Sequence, residues 1–98
     1  MQFSVKVTDY QKNIMLNICD VDLLGKNIVQ DELNMNISKS YYGQKLVETE
    51  EASILLKKSS IINMVGKEIV SLSVKLGVGS ETGIKTISNI PFLIVFKM

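Results

Sequence analysis

The sequence predicts an α+β fold, a mostly antiparallel sheet of about five strands with two consecutive helices packed on one face. Three observations predict it. Apolar and polar residues alternate in "FSVKVTDY", "IMLNICD" and "LNMNIS" near the start of the 98-residue chain, as in strands with one buried face. The middle of the chain changes to a spacing near 3.6, the period of an amphipathic helix. Turn residues, not linkers, separate these stretches, so residues 1–98 read as a single domain with surface enough for one core.

"FSVKVTDY" puts Phe3, Val5 and Val7 on one face and Ser4, Lys6 and Thr8 on the other. "DYQKN" is a polar turn. "IMLNICD" resumes the alternation with Ile14, Leu16 and Ile18 inward, so the two stretches predict a hairpin. In "DVDLLGKN", Asp20 suits the N-cap of one helical turn and Gly25 a left-handed stop after Leu23 and Leu24. "LNMNIS" predicts a third strand with Leu33, Met35 and Ile37 inward.

Thr49 reads as the N-cap of the first helix. Glu50 and Glu51 follow where the helix dipole favours negative charge, and Lys57 and Lys58 close it where positive charge is favoured. Its inner stripe is Ala52, Leu55, Leu56 and Ser59. A break is predicted at Ser59–Ser60, then a second helix over about 60–76, striped by Ile61, Val65, Ile69, Leu72 and Leu76 and stopped by Gly77. Gly66 falls inside that helix, where glycine costs up to about 1 kcal/mol relative to alanine. A close approach by another element is therefore expected there.

"IKTIS" and "IPFLIVFKM" predict two closing strands. The run Phe92–Phe96 does not alternate, the pattern of a strand covered on both faces. Two helices cover one face only, so a homodimer through this C-terminal strand is expected to cover the other.

Composition narrows the chemistry. The chain has no histidine, and all 11 basic residues are lysines. It therefore lacks the usual proton shuttle near neutral pH, the commonest zinc ligand and the planar fork that grips phosphate. A net charge of +1 supplies no general field for nucleic acid. No apolar run approaches the roughly 20 residues of a membrane span, and "MQFSVKVTD" lacks a signal peptide's apolar stretch. A cytoplasmic location without membrane partners is expected. Cys19 has no second cysteine to pair with and ends an apolar strand, which reads as a buried, inert thiol.

Two stretches remain as candidate contact sites. "DVDLLGK" offers Asp20 and Asp22, too few oxygen ligands for a metal shell, and Lys26 without the rest of a phosphate loop. No metal, cofactor or catalytic residue is assigned. "SKSYYGQK" sets Tyr41 and Tyr42 before Gly43, flanked by Lys39 and Lys45. An exposed aromatic beside a lysine is the minimal footprint of base stacking with phosphate attraction. The same residues suit a turn whose rings tuck onto the sheet. Gly43 suggests a positive φ or a close approach, and Tyr42 beside it is expected to be the more exposed ring, sharing a surface with Lys45.

"DVDLLGK", "SYYG", "SIINMVGKEIVSLSVKLG" and the Ile-Pro of Ile90 and Pro91 occur in an order and spacing that resemble a small archaeal family, domain of unknown function number 424. The Asn-x-x-Gly of Asn63 and Gly66 is the most specific piece. The family commonly has a second glycine where this chain has Gln44, and a polar residue after the proline where it has Phe92. The resemblance implies an archaeal cytosolic protein with no known reaction, in a housekeeping role near translation or RNA metabolism.

The expected function is a non-catalytic interaction module. It would bind a protein or a ribonucleoprotein through Tyr41, Tyr42, Gly43 and Lys45 and through the polar turn with Asp20, Asp22 and Lys26. The alternatives are a small enzyme using lysine, tyrosine and carboxylates, or a direct RNA-binding domain. No cluster assembles a nucleophile, a base and an orienting group, and the missing arginines weigh against the RNA binder.

Overall fold

Alternation at the N-terminus produces the predicted hairpin. In a computed structural model that describes residues 1–97, β1 (Gln2–Tyr10) pairs antiparallel with β2 (Asn13–Asp20). Gln11 and Lys12 take φ of 49° and 71°, the left-handed pair whose twist matches that of the flanking strands. Phe3, Val5, Leu16 and Ile18 are buried, as their parity demands.

After a single 3-10 turn at Val21–Leu23, Gly25 takes φ +87° as its stop. β3 (Asn27–Gln30) and β4 (Leu33–Asn36) then pair only with each other. The third strand expected in the main sheet is thus half of a separate ribbon. Leu33 is 44% exposed, while Ile28 and Ile37 are buried. Anchored by those two isoleucines, the ribbon acts as a roof and not as a sheet member.

The short helix α1 (Lys39–Tyr42), β5 (Lys45–Glu48) and α2 (Thr49–Lys58) follow. Ala52, Leu55, Leu56 and Ser59 are buried as predicted, and Ser59 ends the helix. Thr49 is the first helical residue and not the cap; its hydroxyl donates to the Met1 carbonyl at 3.3 Å.

The predicted second helix is two elements. Residues Ile61–Val65 form strand β6, and α3 runs only over Lys67–Lys75. Gly66 is therefore the hinge between them, with φ +125°, and not a mid-helix residue. Its neighbour in space is the Asp20 carboxylate, which a Cβ at Gly66 would strike. β7 (Lys85–Ile87) and β8 (Ile90–Phe96) close the chain.

Among the described residues the sheet has six strands in the order β5-β1-β2-β6-β8-β7, antiparallel at every step except β2–β6. This corrects the expected count of about five, and β6 stands between the two helices that were expected to be consecutive. α2 and α3 cover one face over Phe3, Val5, Leu16, Ile18, Ile62, Met64 and Leu93. At roughly 2 kcal/mol for each large buried side chain, this layer carries most of the stabilising burial. Lys97 Nζ donates to the carbonyls of Leu56 at 2.6 Å and Lys57 at 2.8 Å, satisfying the open end of α2.

Strand register divides the other face into three rows. Ser4, Cys19, Val65 and Phe92 form the first row, and the last three belong to a second apolar cluster with Ile28 and Ile37. The next row is Lys6, Asn17, Asn63 and Ile94, and the last is Thr8, Met15, Ile61 and Phe96. These two rows have no roof. The run Phe92–Phe96 is covered on both faces only at its start: Leu93 is buried, but Ile94 and Phe96 are 58% and 68% exposed. No helix among the described residues is long and apolar enough to cross a membrane.

Candidate binding face of the sheet

Residues 38–44 fold back along the open face because β1 holds them there. Ser38 caps α1 by accepting from Tyr41 N at 3.2 Å. Ser4 Oγ donates to the Tyr42 carbonyl at 2.6 Å, and Lys6 Nζ to the Ser40 carbonyl at 3.0 Å. Gln44 N donates to Val5 O at 2.9 Å, and its side-chain oxygen accepts from Val7 N at 3.1 Å. Gly43 has an ordinary φ of −114°, but a Cβ there would sit 2.8 Å from the Lys39 carbonyl oxygen. Its close approach explains the glycine; a positive φ does not.

The two tyrosines part as adjacent residues should, but in the opposite sense to the expectation. Tyr41 is 62% exposed. Tyr42 is half-buried against the cluster of Cys19, Ile28, Ile37 and Val65. Burial, and then the neighbouring Cys19, push its phenol above the usual range. Lys45 does not join it either. It stands opposite Val5, on the helix side of the sheet, and pairs with Glu51 at 2.8 Å.

The residues of the polar turn also go elsewhere. Asp20 is buried, and its two carboxylate oxygens accept from Glu68 N at 3.0 Å and Ile69 N at 2.9 Å. It caps α3, across the sheet from its own turn. Burial raises its pKa, against the pull of those two amides. Asp20 and Asp22 border a depression shared with Lys67 and Glu68, while Tyr41 and Tyr42 border a different one; Lys26 is exposed and lines neither. The thiol of Cys19 is pushed up to about 12 by burial, with the charges of Asp20 and Asp22 adding to it. It is the inert thiol expected.

The depression beside the tyrosines joins Asn63, known from the sequence only as part of Asn-x-x-Gly, with Asn17, which the sequence did not single out. It has a volume of about 510 Å³, within the roughly 300–1,000 Å³ of small-ligand sites. Asn17 and Asn63 form its floor, joined by a hydrogen bond from Asn63 Nδ2 to Asn17 Oδ1 at 2.8 Å. Met15 and Met35 flank the floor, and Lys6 and Tyr41 stand at its margin. No carboxylate occurs in either unroofed row. Among the described residues, no group of three or more histidine, cysteine or acidic side chains could hold a metal ion.

A family model described as "Protein of unknown function (DUF424)" matches residues 8–98. No curated protein matches the chain. Among solved structures, an uncharacterized conserved protein from Methanopyrus kandleri is 20% identical, with a TM-score of 0.80 over 100% of this chain and 95% of that one. At that identity the likeness shows the shared fold.

Proposed function

The chain belongs to the DUF424 family of proteins of unknown function, and from that premise we propose a non-catalytic interaction module that works through the open face of its sheet. The observation that carries this is the unroofed pair of rows. Tyr41, Ile94 and Phe96 stand exposed beside the Asn17–Asn63 floor, on a surface without carboxylates. Exposed aromatic and apolar side chains rimmed by polar ones mark contact surfaces. The groups that catalysis would recruit are engaged otherwise. Asp20 caps a helix, the Cys19 thiol is buried and protonated, and Tyr42 is half-buried.

The partner is a protein or a ribonucleoprotein, in the setting of translation or RNA metabolism, in the cytoplasm. A second copy of the chain pairs through the backbone edge of β8, which leaves Tyr41 and the Asn17–Asn63 floor free. The double variant Tyr41→Ala, Ile94→Lys tests the contact face by capture from a lysate of the source organism. It should keep the wild-type melting curve and lose the captured partner. Undiminished capture would move the contact surface elsewhere, and turnover of a small molecule would revive an enzyme.

A further inference from the structure

We infer that the depression over Asn17 and Asn63 is a pocket for an unpaired nucleobase, an inference that rests on the open face being the contact face. The floor carries it. Each asparagine amide offers one carbonyl oxygen and one NH2 group. The single bond between them, at 2.8 Å, uses a proton of Asn63 and the oxygen of Asn17. What remains uncommitted is the Asn63 oxygen, the Asn17 NH2 and the second Asn63 proton. Were the donor and acceptor exchanged, the pair would still present one oxygen and one NH2. Free acceptors and donors on two neighbouring strands match the mixed acceptors and donors on the edge of a base. A single asparagine amide reads adenine through one acceptor and one donor; here two residues share that task.

The walls suit the flat faces of the same ligand. Met15 on β2 and Met35 on the ribbon line opposite elements of the pocket, and the exposed Tyr41 ring stands at its lip. Polarisable thioethers and an aromatic ring stack on a heterocycle irrespective of its identity. Lys6 supplies the charge. Its Nζ donates to the Ser40 carbonyl at 3.0 Å, which fixes it at the margin with protons to spare for an anionic oxygen. With no acid in the unroofed rows, a phosphate beside the base meets only this cation. A long basic track is missing, since the chain's net charge is +1. The pocket therefore holds one unpaired base and its phosphate, not a duplex.

The same chemistry comes from a free nucleotide or from an unpaired base in an RNA strand, and the probes separate the two. The full chain is titrated with each of the four ribonucleoside 5′-monophosphates, then with short oligoadenylate and oligouridylate, with duplex RNA of the same length as the control. Amide and side-chain NMR shifts and tyrosine fluorescence are the readouts. Binding should shift Asn17, Asn63 and Tyr41, differ among the bases and spare the duplex. Tighter binding of monophosphates than of strands assigns a free nucleotide; the reverse assigns single-stranded RNA. Tyr41→Ala, an exposed change that leaves folding intact, should weaken binding about tenfold through lost stacking. Asn17→Asp replaces the donor by an acceptor and a charge, and should change the preference among the bases.

Two results would overturn the pocket. One is no shift with any nucleotide or strand; the other is binding that both variants leave unchanged. If capture still depends on Tyr41 and Ile94 while no nucleotide binds, the contact face stands with a protein partner and only the pocket falls. If capture is also indifferent to those residues, the face falls with it.

Discussion

Gly66 and Asp20 are best understood as one device. The chain leaves β6 and enters α3 in a single residue at φ +125° and ψ 153°, a combination open essentially to glycine. The space where a Cβ would stand belongs to the Asp20 carboxylate, which accepts from the first amides of the helix. Gly66→Ala should destabilise the fold by on the order of 2–4 kcal/mol, combining backbone strain with a damaged cap. An unchanged denaturation midpoint would refute the device. Asp20 also sets a pH dependence. Its folded pKa is raised by burial, so its contribution is fully present below the ordinary carboxylate value and is lost as pH rises through the raised one. Asp20→Asn cannot ionise. It gives up one amide acceptor at every pH, yet should gain stability relative to the wild type between acidic and neutral conditions. Parallel stability curves for the two proteins across that range would contradict this. The need for a glycine at position 66 was legible in the sequence, but its partner was not, because Asp20 lies 46 residues away in the chain.

The hairpin was legible because its alternation is regular, and β6 was not because its pattern is mixed. The β1–β2 hairpin alternates because one side meets α2 and α3 and the other begins as polar surface. β6 lies centrally between β2 and β8, with Ile62 and Met64 under the helices and Val65 under the ribbon. Its run Ile61, Ile62, Asn63, Met64, Val65 cannot alternate cleanly, and a short apolar run fits a helical stripe equally well. The same misassignment hid the pocket. Asn63 meets Asn17 only through parallel pairing of β6 with β2, a register no local pattern reveals. On α3, Ser73 is fully buried, and its hydroxyl has no partner among the described residues. It is small because the backbone of Gly79 packs against it, where a Cβ would sit 2.8 Å from Ser73 Oγ. Ser73→Ala keeps the size and removes an unsatisfied polar group, so it should stabilise the protein by about 1 kcal/mol. Ser73→Val should lower stability by about 1–3 kcal/mol through overpacking. A thermal melt of each variant decides, and a loss on Ser73→Ala would mean that the hydroxyl has a water partner.

For the molecule as a whole, the pairing of a second copy is decided at the end of the chain. Among the described residues, β7 meets β8 only across Ile90, Pro91 and Phe92, so the second half of β8 has one free edge. Lys97 N donates to Ser60 O at 2.8 Å, and Pro91 O accepts from Gly66 N at 3.0 Å. The odd-numbered residues of β8 therefore bond β6, and by alternation Ile94 and Phe96 turn their backbone groups to the free edge. Their side chains are the exposed apolar ones on the open face. An edge with unpaired backbone and large apolar side chains is a template for another strand. Nor does this end fray, since Lys97 is pinned to the last carbonyls of α2. Antiparallel pairing of two β8 strands about a twofold axis would satisfy both edges with one patch, and would place the two open faces on the same side of a continuous sheet. Light scattering at high micromolar concentration should then find a dimer. Lysine at Ile94 and Phe96 together should give a folded monomer that melts somewhat below the wild-type dimer. Lysine at Leu93 should instead unfold the chain, because Leu93 is 3% exposed beneath the helices. A wild-type monomer at that concentration, with the amides of Ile94 and Phe96 exchanging freely with solvent, would leave β8 an open edge and refute the dimer.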